Sequence, residues 1–239
     1  MNNAAVPPPR LLKQQAVWLA PVRARLFRRA QVAQRRRTLD LACGPATVTG
    51  ELLRRGGGMV VAFDSSRKAL AAGDKPFAGA CRVNGDAVRL PFAEDSFDMV
   101  FCQLALMWLD AEAAVRQACR VLAPGGVLVA IEPDFGGMIE HPAEIATRQI
   151  WLDALQRAGA DPCIGRKLPG LLAEAGLKVH VELLDRLVPP AAERFEFLRG
   201  LPLADTQREA LDRIEAADGA LGDSFRVAHL PMFLVTAEK

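Results

Sequence analysis

Two kinds of stretch alternate along this 239-residue chain. Short runs that are apolar throughout fit strands covered on both faces, and longer stretches with apolar residues every three or four positions fit helices with one buried side. The apolar runs are Thr38 to Ala42, Met59 to Phe63, Asp98 to Gln103, Val127 to Pro133, Leu177 to Leu184 and Met232 to Ala237, with Arg82-Val83 as a further short strand. Helical periodicity covers Leu11 to Ala20 and Val22 to Ala33, broken by Pro21, then the stretch ending at Arg55, Ser65 to Gly73, Ala111 to Leu122, Ile145 to Ala158 and Leu168 to Ala175. Strand and helix alternate from Thr38 onward, which predicts an α/β fold around a parallel sheet.

The most informative stretch is Arg37 to Asp64. Its first strand ends in Cys43-Gly44-Pro45, residues that turn the chain. The next helix has Thr47 or Thr49 as a candidate cap, Leu52 and Leu53 as its buried side, and Arg54-Arg55 at its negative end before Gly56-Gly57-Gly58 stops it. The second strand closes on Asp64. A βαβ unit with a glycine turn after its first strand and an acid ending its second is a nucleoside-binding half of a doubly wound sheet. A nicotinamide or flavin site would want G-x-G-x-x-G; this turn has one glycine and is preceded by Asp40.

The run Asp40 to Ala46, D-L-A-C-G-P-A, resembles the D-x-G-x-G-x-G motif of class I S-adenosylmethionine-dependent methyltransferases, with Ala42 and Ala46 at the first and third glycines and Gly44 kept. The G-D-A of Gly85-Asp86-Ala87, followed by L-P-F and S-F-D, is similar to the region that holds adenine in that family. R-V-L-A-P-G-G-V-L, from Arg120 to Leu128, resembles its turn into the fifth strand. The resemblance covers residues 38 to about 135 and points to the broad small-molecule group that includes quinone-biosynthesis methyltransferases. It implies a Rossmann-like doubly wound seven-stranded sheet, mostly parallel with an antiparallel last strand and helical cap elements. Residues 1–37 are then an N-terminal basic helical cap, and residues 38–239 the methyltransferase domain with a helical insertion at about 189–222.

The resemblance also implies a cofactor, S-adenosyl-L-methionine, with S-adenosyl-L-homocysteine as product. Asp64 would accept both ribose hydroxyls, although an acid after a strand can equally be a helix cap. Asp86 would accept the adenine amine and the Ala87 amide would serve a ring nitrogen, although a lone acid in a turn also forms turns. Asp40 stands between steadying the turn and reaching the cofactor. Ala42, Cys43, Gly44, Ser65 and Gln103 complete the expected cofactor set. Trp18, Met107 and Trp108 are expected to line the acceptor pocket. The chain has no tyrosine and three histidines. His141 follows the fifth strand and is the candidate base, with Glu132 and Asp134 as candidates to orient an acceptor, while His180 and His229 read as structural or surface groups.

Composition narrows this. With 51% hydrophobic residues the chain can bury a sizeable core, and its five cysteines form no C-x-x-C pair, which fits a reducing cytoplasmic setting and argues against zinc. No apolar run is long enough to cross a bilayer, and the first residues lack a signal-peptide pattern. The net charge of +2 hides nine Lys or Arg residues and no acid between Arg10 and Arg37. That segment reads either as the solvated face of two helices or as a site for an anion, so an RNA or polyanion methyltransferase is an alternative. A non-catalytic cofactor-binding protein is another. Cys102-Gln103-Leu104-Ala105 lacks the Pro-Pro and Pro-Cys turns of nucleobase methyltransferases, which favours a small-molecule acceptor.

Overall fold

The computed structural model describes residues 7–71, 77–184, 191–222 and 226–239. Two helices, α1 (Pro9–Trp18) and α2 (Ala20–Arg29), lead into β1 (Arg37–Leu41), and α3 (Thr49–Arg55) joins it to β2 (Met59–Asp64). Then follow α4 (Arg67–Leu70), β3 (Ala80–Asn84), β4 (Phe97–Gln103), α5 (Ala111–Val121) and β5 (Leu122–Pro133). The chain continues as β6 (Ile139–His141), α6 (Arg148–Arg157), α7 (Ile164–Glu174), β7 (Lys178–Leu183), α8 (Glu193–Arg199), α9 (Asp205–Ala220), β8 (Val227–His229) and β9 (Met232–Glu238).

Seven strands form one sheet in the order β3-β2-β1-β4-β5-β9-β7, and β6 pairs with β8 in a separate ribbon. The strands from β3 to β5 are parallel, and β9 runs antiparallel between β5 and β7. The chain winds outward one way from β1 and the other way from β4, so the topological switch point, where open α/β sheets bind ligands, lies at their carboxyl ends. The expected α/β sheet with an antiparallel last strand is therefore present. That strand sits inside the edge, and β7 is left outermost.

Both faces of the sheet are covered, as its continuous apolar strands require. On one face α2 lays Leu26 and Phe27 over Val60, Phe101, Val129 and Ile131, with the Phe27 and Phe101 rings meeting edge-on at 5.1 Å. On the other face α5, α6 and α7 pack over Leu39, Val61, Val100, Leu128 and Ala130.

Several local expectations shift. Pro21 does not break the first two helices; the break falls at Leu19, and Pro21 sits in the first turn of α2, where a missing N–H leaves no bond unmade. Neither threonine caps α3, because Thr49 Oγ1 donates to Asp40 Oδ2 instead, at 2.6 Å. Ser66 does cap α4, accepting from the Ala69 amide at 3.1 Å. That helix ends at Leu70, and the rest of the stretch expected up to Gly73 lies outside the described residues beyond position 71. α6 starts only at Arg148, after a short turn of 3-10 helix, and α7 starts earlier than expected and carries Pro169 inside it. Helices α8 and α9 fall in the stretch read as an insertion, whose Pro189-Pro190 start lies outside the described residues.

Candidate functional site

The turn after β1 is built from left-handed residues. Ala42, Gly44 and Ala46 have φ of +56°, +54° and +60°, so the two alanines at glycine positions of the motif keep a glycine conformation. Each extra methyl in that region costs about 1 kcal/mol. A Cβ added to Gly44 would meet no atom within 4 Å, so the turn faces open space. Asp64, at the end of β2, fastens this turn: its Oδ2 accepts from the Gly44 amide at 2.8 Å and its Oδ1 from the Ser66 amide at 2.7 Å. The Cys43 amide donates to the Phe63 carbonyl at 3.0 Å, a second tie between the two strand ends.

A small cleft, open to solvent, lies beside that turn and is lined by Ala42, Phe63, Asp64, Ser65, Asp86, Ala87 and Leu109. Five of these were expected from the sequence, brought together from the carboxyl ends of β1, β2 and β3. Asp86 is exposed; its Oδ1 accepts from the Val88 amide at 3.1 Å, the turn-forming role weighed above. Gly85 is required beside it, since a Cβ there would lie 2.8 Å from the Phe63 ring. Phe63 and Leu109 were not expected. Phe63 reads as strand core, and Leu109 reaches the cleft only because a 3-10 turn, Leu106–Trp108, carries it there.

Two buried acids flank the turn. Asp40 is held by Thr49, and burial pushes its carboxyl up to about 7 against the pull of that hydrogen bond. Glu132, in β5, is also raised to about 7 by burial; its Oε1 accepts from the Ala105 and Leu106 amides, each at 3.0 Å. Burial likewise raises the thiols of Cys43 and Cys102, so both are neutral thiols rather than nucleophiles. Gln103 does not line the cleft: its Oε1 accepts from Arg23 Nη1 at 3.0 Å. Arg23, in α2, also donates through Nε and Nη2 to Glu51 Oε2 at 2.8 and 2.6 Å and through Nη1 to the Ala16 carbonyl at 3.0 Å. This buried arginine ties the N-terminal helices to the end of β4 and to α3. Among nine basic residues in one segment, only its place on the buried side of α2 could have marked it.

The expected acceptor-side residues are spread apart. Asp134 is buried after β5, with Oδ2 accepting from Arg166 Nε at 2.8 Å and no partner for Oδ1 among the described residues. His141 is exposed on the β6–β8 ribbon, opposite Val227. Met107 is buried in the core and Trp108 packs against it, while Trp18 is 42% exposed at the end of α1. His180 is exposed beside Glu182, and His229 is half-buried, its pKa lowered by burial. Among the described residues no cluster of His, Cys, Asp or Glu could hold a metal ion. No described helix is long and apolar enough to cross a membrane.

Residues 39–130 match the methyltransferase domain family. A curated relative, the demethylmenaquinone methyltransferase of Mycobacterium marinum, is 41% identical over 122 residues, which are 51% of this chain and 50% of that protein. The chain thus spans about half the length of the curated relatives it matches. Among solved structures, the YcgJ protein of Bacillus subtilis is similar with a TM-score of 0.64 at 17% identity, covering 90% of this chain and 97% of that one. A geranyl diphosphate methyltransferase solved with S-adenosylmethionine is similar with a TM-score of 0.61 at 15% identity, covering 96% and 86%. At those identities the structural likeness is one of fold.

Proposed function

From the class I S-adenosylmethionine-dependent methyltransferase fold that this chain carries, with a methyltransferase domain over residues 39–130, we propose that the protein transfers a methyl group from S-adenosylmethionine to a small-molecule acceptor. The observation that carries the reading is the cleft itself, where Asp64 and Asp86 meet on the open side of a turn with three left-handed residues. A nucleoside fits this chemistry. Asp64 accepts from ribose hydroxyls, Asp86 accepts from the adenine amine, and the Ala87 amide donates to a ring nitrogen, while Phe63 and Leu109 give the base apolar walls. Ala42, Cys43, Gly44 and Ser65 let the ligand approach the backbone closely. Bound there, S-adenosylmethionine would supply a methyl carbon on a sulfonium that an acceptor lone pair can attack in line, the C–S bond breaking as its electron pair goes to sulfur and S-adenosylhomocysteine leaves as the neutral thioether. The chain's task is to hold the two in line and keep water out. Asp134 is proposed to orient the acceptor, and His141 to take its proton.

The small-molecule reading gains support from the named curated relatives, whose acceptor is a demethylmenaquinone. The polyanion reading loses some support because four of the nine basic residues are ion-paired within the protein: Arg10 with Glu196, Arg23 with Glu51, and Arg25 and Arg29 with Glu182. The five free cysteines fit work in the reducing cytoplasm. Fold alone does not settle the reaction, since a [4+2]-cyclase shares it with a TM-score of 0.59.

Calorimetric titration with S-adenosylhomocysteine, beside NADH and an Asp64→Ala variant, tests the proposal. Micromolar binding of the homocysteine compound alone is expected. The variant should bind roughly ten- to a hundredfold more weakly, since it loses charge-assisted hydrogen bonds to the ligand. A folded protein that takes up none of these ligands refutes the reading.

A further inference from the structure

Glu132 is an expected site residue whose carboxylate touches neither the cleft nor solvent: it is 0% exposed. Its Oε1 instead gathers two backbone amides, from Ala105 and Leu106, at 3.0 Å each. Its Oε2 is equally buried and has no hydrogen-bond partner among the described residues. An acid in this position is expensive for the fold, because an apolar residue would fill the space without desolvating a charge. The segment it grips explains what the acid does.

That segment starts strained. Leu104 has φ of +56°, a left-handed conformation that a leucine adopts only when its surroundings hold it there. Its amide is pinned to the Ile131 carbonyl at 2.9 Å, one residue before Glu132. From Ala105 the chain makes the 3-10 turn Leu106–Trp108 and reaches Leu109, whose amide donates to the Leu106 carbonyl at 3.1 Å and which lines the cleft. The Met107 carbonyl accepts from the Asp161 amide at 2.7 Å, so the turn is also tied to the approach to α7. Without the carboxylate, the Ala105 and Leu106 amides would lose their acceptor, and the strained Leu104 would be held only by the ties at Ile131 and Asp161.

We propose that Glu132 is a positioning residue: its carboxylate clamps the Leu104–Leu109 turn in the shape that closes the nucleoside cleft. The inference rests on the cleft being the cofactor site, and it adds that cofactor affinity depends on a group that never touches the cofactor.

The clamp should respond to pH. Burial raises this carboxyl to about 7, while the amides of the turn pull it back down. On β4 it faces the Cys102 thiol, with Sγ 4.0 Å from Oε1, and that thiol is itself raised well above its usual value and stays neutral. Across β9 it is opposite Phe233, and α7 meets its backbone at Gly165, neither of which titrates. The nearest charged pair along the strand is Asp134 with Arg166. Above pH 7 the ionised group makes charge-assisted bonds to the amides; below it the neutral acid accepts more weakly. The turn therefore loosens, and affinity falls, as pH drops through 7.

The test is a titration of the full chain with S-adenosylhomocysteine at pH 6, 7 and 8, for the wild type and for Glu132→Gln. Hydrogen exchange at the Ala105 and Leu106 amides is followed in parallel. Glutamine keeps an acceptor in place but is never charged. The wild type is expected to lose roughly five- to tenfold in affinity from pH 8 to pH 6. The variant should bind at all three values about as weakly as the wild type at pH 6, apart from a smaller pH response that Asp40 contributes to both. Equal pH responses in the two proteins overturn the clamp. If the variant does not fold, the wild type alone decides. Amide protection at 105 and 106, corrected for intrinsic exchange, must fall between pH 8 and pH 6, and unchanged protection overturns the proposal. A wild type that binds nothing at any pH refutes the cofactor reading, and the exchange data still judge the clamp.

Discussion

Replacing Asp40 by asparagine should make this protein more stable above neutral pH. Asp40 is buried in β1, and its contact with Thr49 Oγ1 at 2.6 Å is one that asparagine can keep with its amide oxygen. What the substitution removes is a buried charge. Burial raises the carboxyl from 3.8 to about 7. At about 1.4 kcal/mol per pKa unit, ionised Asp40 therefore costs the fold about 4 kcal/mol. The sign follows from proton counting. Between the two values the folded chain holds a proton that the unfolded chain has lost, so stability falls as pH rises through that window and stops falling above about 7. At pH 5 most of the cost is avoided by protonation, and at pH 8 it is paid in full. The stability of Asp40→Asn relative to wild type should thus improve by about 3 kcal/mol between pH 5 and pH 8. Urea unfolding of both proteins at the two values measures this difference directly, and the similarly raised Glu132 cancels because both carry it. An asparagine variant destabilised equally at both values would refute the reasoning, and would mean that the Arg23 charge and the Thr49 hydroxyl keep Asp40 ionised inside the protein. S-adenosylhomocysteine binding by the same variant separates a structural Asp40 from one that also reaches the ligand.

Arg23→Ala should cost about 2–3 kcal/mol in urea unfolding, because it leaves the half-buried Glu51 with Arg55 as its remaining partner among the described residues. Arg23→Lys should recover part of that loss, since a lysine restores the charge but not the forked contact with Glu51. Gly44→Ala should lower the melting temperature by only about 2–4 °C, the effect of about 1 kcal/mol for a φ of +54° with no clash in the fold. Its affinity for S-adenosylhomocysteine should fall further than its stability, because the added methyl points into the open space before the turn; equal losses would argue that no ligand sits there.

Much of the site was legible because its cofactor half is built from local sequence. Asp40, Gly44 and Asp64 are separated by one turn and one helix, and a βαβ unit can be joined in few ways. Asp86 and Ala87 follow the same logic one strand later. Leu109 and Phe63 were missed because a wall of the cleft depends on where a neighbouring turn ends, which no spacing records. Arg23 was hidden among eight other basic residues, distinguished from them only by the face of α2 it occupies. The acceptor side was least legible. His141 was expected from its place after β5, yet its position on the β6–β8 ribbon depends on a pairing between segments far apart in the chain.

The sequence by itself determined the alternation of strands and helices, the turn after β1 and the acids that close β2 and follow β3, since these rest on periodicity, turn residues and short-range order. It also determined that the alanines at 42 and 46 would be tested by backbone conformation. Only the tertiary structure decided that both adopt left-handed φ, and that Thr49 serves Asp40 rather than capping its helix. It alone decided that Glu132 faces the backbone of a neighbouring turn rather than an acceptor. The physical reason is the same in each case: the partner of a buried polar group is set by which strands lie side by side, and burial then fixes what that group must bind and when it can be charged.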